Sequence, residues 1–220
     1  MTRYLVLAAL IVLACPSVHA QTTTILFLGD SLTAGYGVAS EQAYPSLIKK
    51  KLQHDYPAAT HVINGSISGS TSASAFSRLR WYQQKQPKIL FLALGANDGL
   101  RGLDVKQLAV NLEKVVATAH QNGMIVILAG MQMPPNYGPN YTETFKNVYP
   151  QLAEKLNLIL IPFLLEGVAG KAELNQADGI HPNPSGHQHI AQLVYPYIKQ
   201  ALRHLSSTPI DPTASQAMHQ

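Results

Sequence analysis

Residues 27–37 read FLGDSLTAGYG, and this stretch decides how the rest of the chain is interpreted. An apolar run ends at Gly29-Asp30-Ser31, and small or turn-forming residues follow it. A buried strand that stops at such a turn is typical of a strand-to-helix connection in an α/β sheet. A serine at a helix start often only caps the helix. The same position also suits a nucleophile, because unpaired helix N–H groups stabilise negative charge beside the hydroxyl.

Short apolar runs alternate with helical stretches from residue 24 onward. The runs predicted to be strands are Thr24–Leu28, His61–Ile63, Ile89–Leu94, Met124–Ala129 and Leu158–Ile161. Helices are predicted near 41–54, 72–85, 105–121 and 142–156, with a last helix from Pro184 or Ser185 to about Leu205. Several strands are almost wholly apolar, as expected when both faces of a parallel sheet are covered. The alternation therefore predicts a three-layer αβα sandwich around a doubly wound parallel sheet of about five strands.

The chain divides into a leader, one folded domain and a tail. Residues 1–20 carry a positive charge at Arg3, a short apolar core and a small-residue cleavage site, which is the pattern of a secretory signal peptide. We expect cleavage after Ala20 and a single domain over residues 21–205. Residues 206–220 are rich in Ser, Thr and Pro and are predicted to be disordered.

The single cysteine, Cys15, lies inside the predicted signal peptide. It is either an incidental residue of the apolar core or the acylated cysteine of a lipoprotein, and Leu13 and Pro16 weigh against a lipobox. In both cases the mature domain has no disulfide and depends on its core for stability. We expect a periplasmic or secreted protein, with lipid anchorage through Cys15 as the less favoured alternative. No later apolar segment is long enough to span a bilayer stably.

The charge pattern gives no sign of a nucleic-acid partner. The net charge of +4 is modest, and the only basic run, Lys49–Lys51, falls on a predicted helix, where it indicates a solvated face. A dinucleotide-binding role is also disfavoured, because no Gly-x-Gly-x-x-Gly follows the first strand.

Polar segments follow three of the predicted strands. They are Gly29-Asp30-Ser31, residues 64–69 (NGSISG) and residues 95–99 (GANDG). Sites in open parallel sheets form outside the carboxyl ends of the strands. We therefore expect these three segments to converge at one edge of the sheet.

A serine nucleophile needs a base, and the base needs a group that orients it. Asp178 and His181 have a spacing that lets the carboxylate reach Nδ1–H within one turn and leaves Nε2 facing outward. Taken alone, His181 is one of nine histidines, and a structural role in its loop stays open. His187 and His189 are rivals on the last helix, where we expect His187 at the surface and His189 in packing contacts.

Acyl transfer also needs hydrogen-bond donors for the oxyanion. Asn97 offers a side-chain amide, and Gly69 offers a backbone N–H that no side chain blocks. Taken alone, Asn97 is equally consistent with a turn residue, and Gly69 with part of a flexible loop.

The four segments occur in a characteristic order: Gly-Asp-Ser-Leu, Ser-x-x-Gly, Gly-x-Asn-Asp and Asp-x-x-His. This order resembles the GDSL, or SGNH, hydrolase superfamily over about residues 23–205. The resemblance is strongest to its bacterial acyl-CoA thioesterase I, arylesterase and lysophospholipase group. The segments that carry it are 64–69, 93–102, 134–138 and 178–183. It implies a flavodoxin-like αβα sandwich, no metal and no cofactor, and the periplasmic location of many members.

The resemblance also implies a role for each matching residue. Ser31 would be the nucleophile, His181 the base and Asp178 the acid of the triad. The N–H groups of Ser31 and Gly69 and the side chain of Asn97 would form the oxyanion hole.

Three neighbours of these residues bear on the geometry of the loops. Asp30 and Asp98 lie beside the matching residues and are expected to fix loop geometry rather than act on substrate. Ser70 stands where the close group often has an acidic residue, which leaves the support of that loop open while the Gly69 donor is kept.

The segment Met131–Tyr141 follows the fourth strand and is rich in Met, Pro and Tyr. It either connects to the next helix only or also borders the acyl pocket, as the resemblance implies. We favour the pocket, and Asn136, Tyr137 and Ile180 are the residues predicted to contact substrate.

The expected function is hydrolysis of carboxylic esters through a Ser-His-Asp acyl-enzyme. Aryl esters and short or medium acyl esters are the expected substrates, with thioesters and lysophospholipids as extensions. A carbohydrate O-acetylesterase with the same catalytic set is the alternative enzyme, and a binding protein without catalysis is disfavoured by the complete set. The expected partner is a small ester or lipid-like molecule, and the expected state is a monomer.

Overall fold

The computed structural model describes residues 22–57 and 59–207. The predicted signal peptide, Cys15 and the chain after Ser207 lie outside the described residues. Among those described, no helix has the length and hydropathy that crossing a bilayer requires.

Five parallel strands form one sheet. They are β1 (Thr23–Gly29), β2 (Thr60–Asn64), β3 (Ile89–Ala93), β4 (Ile125–Ala129) and β5 (Ile159–Ile161). Their order in the sheet is β2-β1-β3-β4-β5, so β1 pairs with β2 on one side and with β3 on the other. The direction of winding reverses at β1, and the crevice outside its carboxyl end is the usual ligand position of such sheets.

Seven helices accompany the described sheet. They are α1 (Ser31–Ala34), α2 (Tyr44–Asp55), α3 (Ala75–Tyr82), α4 (Ala96–Leu100), α5 (Val105–Gln121), α6 (Pro139–Leu156) and α7 (Pro184–Ser207). Helix α2 packs against α7, and α5 packs against both α3 and α6. The predicted α/β sandwich is therefore confirmed.

The core lies where the sheet meets these two groups of helices. Every residue of β3 is buried, because both faces of this central strand are covered. The rings of Phe27 and Phe91, on neighbouring strands, have centroids 4.8 Å apart. These large apolar side chains hold β1 rigidly, so the turn that follows β1 starts from a fixed point.

The boundaries depart from the predictions at four helices. Helix α2 begins at Tyr44, later than predicted, after a separate 3₁₀ turn at Ser40–Gln42. Helix α6 begins at Pro139, earlier than predicted, because proline is well suited to the first turn of a helix. Helix α7 continues to Ser207, so the first two residues of the predicted disordered tail are helical. Helix α3 is shorter than predicted, with 3₁₀ turns on either side at Ser72–Ser74 and Gln83–Lys85.

The expectation for the two histidines of α7 is wrong. His187 is buried and His189 is exposed, because His187 shares the apolar stripe of the helix with Ile190 and Val194. The Nδ1 of His187 accepts a hydrogen bond from the Tyr44 N–H at 3.3 Å, and burial lowers the pKa of His187 to about 4. His187 is therefore a packing residue of the α2–α7 contact.

Candidate active site

The turn after β1 places Ser31 at the first position of α1. Asp30 is the cap of this helix, since its carboxylate accepts a hydrogen bond from the Leu32 N–H at 3.1 Å. The chain turns back closely here: a Cβ on Gly29 would lie 2.2 Å from Thr33 Oγ1, so glycine is required. Because Asp30 caps the helix, the Ser31 hydroxyl is left available for another partner.

That partner is His181. Its Nε2 lies 2.9 Å from Ser31 Oγ, and its Nδ1 lies 2.8 Å from an oxygen of Asp178. If Nδ1 carries the proton that Asp178 accepts, Nε2 is the nitrogen that can take the proton of the hydroxyl. Three residues from two distant parts of the chain thus form one line of hydrogen bonds.

The second oxygen of Asp178 holds the backbone of the same turn. It accepts hydrogen bonds from the N–H groups of Ile180 and His181, each at 3.0 Å. These bonds, with the His181 N–H first and its imidazole next, lower the pKa of Asp178 to about 2. The carboxylate is therefore ionised throughout the neutral range and favours the Nδ1–H tautomer of His181. We call residues 175–183, which contain this turn, the acid–base loop.

Two further polar groups lie beside Ser31. The loop of residues 65–72, called the donor loop below, contains Gly69 with a φ of 76°, a conformation that favours glycine. Within the described chain nothing accepts a hydrogen bond from the Gly69 N–H, and the same holds for the Ser31 N–H. Asn97 donates from Nδ2 to the Ser70 carbonyl at 3.0 Å, which orients its amide and leaves a second hydrogen for a ligand.

Hydrogen bonds connect the donor loop to α4 and α5. The Asp98 carboxylate accepts from the N–H of Ser72 at 2.9 Å and from its hydroxyl at 2.5 Å, and Asn111 donates to that hydroxyl at 2.9 Å. Arg101 donates to the Gly69 carbonyl at 2.9 Å. These bonds hold the loop in place, with no acidic side chain at position 70.

The pKa of the Asp30 carboxyl depends on its burial and on charges from both sides of the site, those of His181 and Asp98. Burial raises its pKa to about 6, while the Leu32 N–H and the charge of His181 lower it and the charge of Asp98 raises it. One of its oxygens has no partner among the described residues. Asp30 thus fixes the nucleophile turn at an electrostatic cost.

A cleft of about 480 Å³ is lined by Ser31, Asn97 and His181. Most of its lining is apolar: Leu32, Ala96, Leu100, Met131, Met133, Pro134, Pro135, Phe163, Leu165, Ala169 and Ile180. Such a cleft suits a ligand whose aliphatic or aromatic group contacts the apolar lining while its polar group contacts Ser31, Asn97 and His181.

The three residues predicted to contact substrate are placed differently. Ile180 lines the cleft, whereas the 131–141 segment contributes Met131 to Pro135 and neither Asn136 nor Tyr137. The Tyr137 hydroxyl instead donates to the Leu100 carbonyl at 3.0 Å, which ties this segment to α4. Contact of Asn136 or Tyr137 with substrate stays a prediction.

Sequence reasoning missed the part of the lining that follows β5. Phe163, Leu165 and Ala169-Gly170 come after the carboxyl end of that strand, at the same edge as Ser31. The strand-end rule that found the other three segments could have found this one. Its residues are mostly apolar and carry no catalytic group, so nothing in the sequence singled the segment out.

Known proteins match the chain over most of its length. The model of the GDSL-like Lipase/Acylhydrolase family matches residues 27–189. The chain is 39% identical to the "Esterase TesA" of Pseudomonas aeruginosa over 204 residues, which cover 91% of this chain and 100% of that protein. It is 37% identical to the "Thioesterase 1/protease 1/lysophospholipase L1" of Escherichia coli K12 over 186 residues, 84% of this chain and 88% of that one.

A solved structure is similar in the same way. The psychrotrophic esterase EstA of Pseudoalteromonas, inhibited by monoethylphosphonate, matches with a TM-score of 0.77 and 37% identity. The match covers 82% of this chain and 99% of that one.

Proposed function

The chain belongs to the GDSL-like lipase/acylhydrolase family, and from that membership we propose that it is a serine esterase that hydrolyses carboxylic esters. The observation that carries the proposal is the line of hydrogen bonds Ser31–His181–Asp178, with distances of 2.9 and 2.8 Å, whose serine and histidine line a mostly apolar cleft. A hydroxyl bonded to an oriented imidazole is the arrangement that activates a serine.

In the proposed first step, Ser31 Oγ attacks the ester carbonyl carbon while His181 Nε2 accepts the hydroxyl proton. Asp178 keeps the imidazole in the productive tautomer and stabilises its charged form. The oxyanion accepts hydrogen bonds from the N–H groups of Ser31 and Gly69 and from the Asn97 amide. One such donor is typically worth about 2.7–4 kcal/mol of barrier.

In the proposed second step, His181 returns the proton to the leaving alcohol or thiol, whose bond to the acyl carbon breaks. Water then attacks the acyl-enzyme with His181 again as base, and the acid product leaves with Ser31 regenerated. The carboxylate of Asp178 stays ionised in both steps, in keeping with its pKa of about 2.

The cleft supports a preference for apolar acyl groups. With about 480 Å³ and an apolar lining, it suits short or medium acyl chains and aryl groups. Thioesters and lysophospholipids extend the proposed range, in line with the name of the Escherichia coli relative. A carbohydrate acetyl ester would leave most of this lining uncovered, so no observation favours that alternative.

The cellular setting and the assembly state form part of the same proposal. The signal-peptide pattern of residues 1–20 supports export to the periplasm or beyond, with Asp30 to His181 in the mature chain. We propose that the enzyme acts as a monomer on a small ester or lipid-like substrate, because Ser31, His181, Asp178 and the donor groups all come from one chain.

A chain-length series of p-nitrophenyl esters and matched acyl thioesters tests the proposal. The wild type is expected to hydrolyse butyrate to octanoate esters faster than acetate, and Ser31→Ala is expected to lose this activity while remaining folded. Ser77→Ala is the matched control, since this exposed serine only donates to the Ser74 carbonyl at 3.0 Å. Full activity in purified Ser31→Ala, or activity on acetylated xylan alone, would contradict the proposal.

A further inference from the structure

Gln176 joins the two parts of the chain that carry the nucleophile and the base. Its Nε2 donates to the Tyr36 carbonyl at 2.7 Å and to the Pro182 carbonyl at 3.0 Å. Its backbone N–H donates to the His181 carbonyl at 2.7 Å. Tyr36 and Gln176 are 140 positions apart, so this one side chain bonds a remote turn and its own loop at once.

Tyr36 belongs to the turn that begins at Ser31. Its N–H donates to the Ser31 carbonyl at 3.0 Å, and its ring lies against the His181 imidazole with centroids 4.7 Å apart. A bond to the Tyr36 carbonyl therefore fixes the backbone that carries the nucleophile and the ring that supports the base.

The neighbouring Gly37 shows how closely Gln176 fits this turn. Gly37 has a φ of 77°, and a Cβ built on it would lie 2.0 Å from the Oε1 of Gln176. The turn thus contacts both polar ends of the Gln176 amide, and a larger residue at 37 would push that amide away.

The other side-chain amides of the acid–base loop, those of Asn175 and Asn183, donate only to carbonyls in or next to the loop. Asn175 donates to the carbonyls of Val168 and Lys171, and Asn183 donates to those of Glu173 and Asn175. All these bonds stay within residues 168–183. They give the loop its shape but do not set its position relative to Ser31.

We propose that Gln176 is a positioning residue that holds the His181 imidazole at hydrogen-bond distance from the Ser31 hydroxyl. The inference rests on the proposed esterase function. Catalysis by a serine and a histidine depends steeply on their mutual geometry, and a misplacement of about 1 Å can cost roughly 10²-fold in rate. Gln176 itself does not touch the reacting atoms.

The test is Gln176→Met, which keeps the length of the side chain and removes its two N–H donors. We expect kcat to fall about 10- to 100-fold with KM nearly unchanged, because acylation is impaired and the acyl cleft is intact. The rate at which an organophosphate reacts with Ser31 should fall by a similar factor. Gln42→Met is the control, since the side chain of exposed Gln42 accepts a hydrogen bond from the neighbouring Ala39 N–H at 3.3 Å and bonds no residue of the site.

Each outcome decides something. A merely structural role would lower the unfolding midpoint and leave kcat and the organophosphate rate of the folded protein at wild-type values, which would overturn the inference. Gln176→Ala is the second variant, and unfolding of both variants would mark Gln176 as a stability residue and also overturn it. Absence of wild-type hydrolysis would refute the proposed function together with this inference, whereas an active wild type with an equally active Gln176→Met refutes this inference alone.

Discussion

The acid–base loop and the donor loop flank the same serine, yet they are built in opposite ways. In the acid–base loop the two reacting groups, Asp178 and His181, are three residues apart and bond each other directly at 2.8 Å. On the donor side the two polar groups are Gly69 of the donor loop and Asn97 of α4, which follow different strands. Hydrogen bonds to the carbonyls of Gly69 and Ser70 align them. The acid–base pair is therefore formed within one short loop, whereas the oxyanion donors are brought together by the fold.

The difference predicts how each side fails. Removal of a group on the acid–base side changes the chemistry of the base itself. Removal of a support on the donor side only displaces a group that still exists. We therefore expect losses of activity to be steep on the first side and graded on the second. Three variants test this, from the largest expected loss to the smallest, and Asp30→Asn tests the pH dependence of stability.

Asp178→Asn is expected to have the largest effect. An amide in place of the carboxylate favours the wrong tautomer of His181, and the loss of kcat is expected to be about 10⁴-fold, as in serine triads generally. Steady-state kinetics on p-nitrophenyl butyrate measure it. A loss below tenfold would show that Asp178 does not orient the base.

Asn97→Ala is expected to lower kcat about 10²- to 10³-fold, because one oxyanion donor is lost. KM should change little, since the donor acts mainly in the transition state. Asn183→Ala is not a suitable control because it reshapes the acid–base loop, so exposed Asn122, which donates to the Thr118 carbonyl at 2.7 Å, serves instead. Equal losses in Asn97→Ala and Asn122→Ala would remove Asn97 from the donor set.

Asp30→Asn tests the buried carboxylate of Asp30. Burial raises its pKa, the charge of His181 lowers it and the charge of Asp98 raises it. The pKa of Asp30 is about 6 in the folded protein against 3.8 ordinarily, so the folded state binds more protons than the unfolded state between these values. Stability is therefore lost as the pH rises from about 4 through 6, by up to about 3 kcal/mol from this group.

In Asp30→Asn that loss should vanish while the cap of α1 is kept, since asparagine also caps helices. Urea unfolding of both proteins at pH 4.5 and pH 7.5 measures the difference. At pH 7.5 the free energy of unfolding of the variant, relative to that of the wild type, should be higher than at pH 4.5. An identical pH dependence in the two proteins would mean that Asp30 is not the group that titrates.

Arg101→Ala is expected to have the smallest effect. It removes the bond to the Gly69 carbonyl, while Asp98 still holds Ser72, so we expect about a tenfold loss of kcat from a looser donor loop. The kcat of Arg101→Lys should lie between those of the wild type and Arg101→Ala, because the lysine keeps a donor. Exposed Arg203 on α7 is the matched control. A loss as large as that of Asn97→Ala would contradict the graded behaviour of the donor side.

Features of the site that depend on neighbouring residues in the chain could be predicted from the sequence. The Asp178–His181 spacing and the polar strand ends at Ser31 and Asn97 are visible in the chain, because strand periodicity and turn residues determine both. The five strands were found for the same reason. The short helices α1 and α4 were not found, since four or five residues hold no helical period.

The supports of the site could not be found from the sequence. Gln176 acts on a carbonyl 140 positions away, and Arg101 on one 32 positions away, so no local pattern marks either residue. The burial of His187 was missed although the helical period places it on the same stripe as Ile190 and Val194, because the polar residue type suggested the surface. The chemical groups were therefore predictable, while the contacts that align them required the fold.

The most direct test of the account is the identity of the residue that an acyl-like reagent modifies. The wild type is treated with a fluorophosphonate, digested and mapped by mass spectrometry. A single adduct on Ser31, formed at a much lower rate in Asp178→Asn and at a moderately lower rate in Arg101→Ala, is the predicted result. An adduct on another serine, or none on a protein that still hydrolyses esters, would contradict the claim that Ser31 is the nucleophile between the two loops.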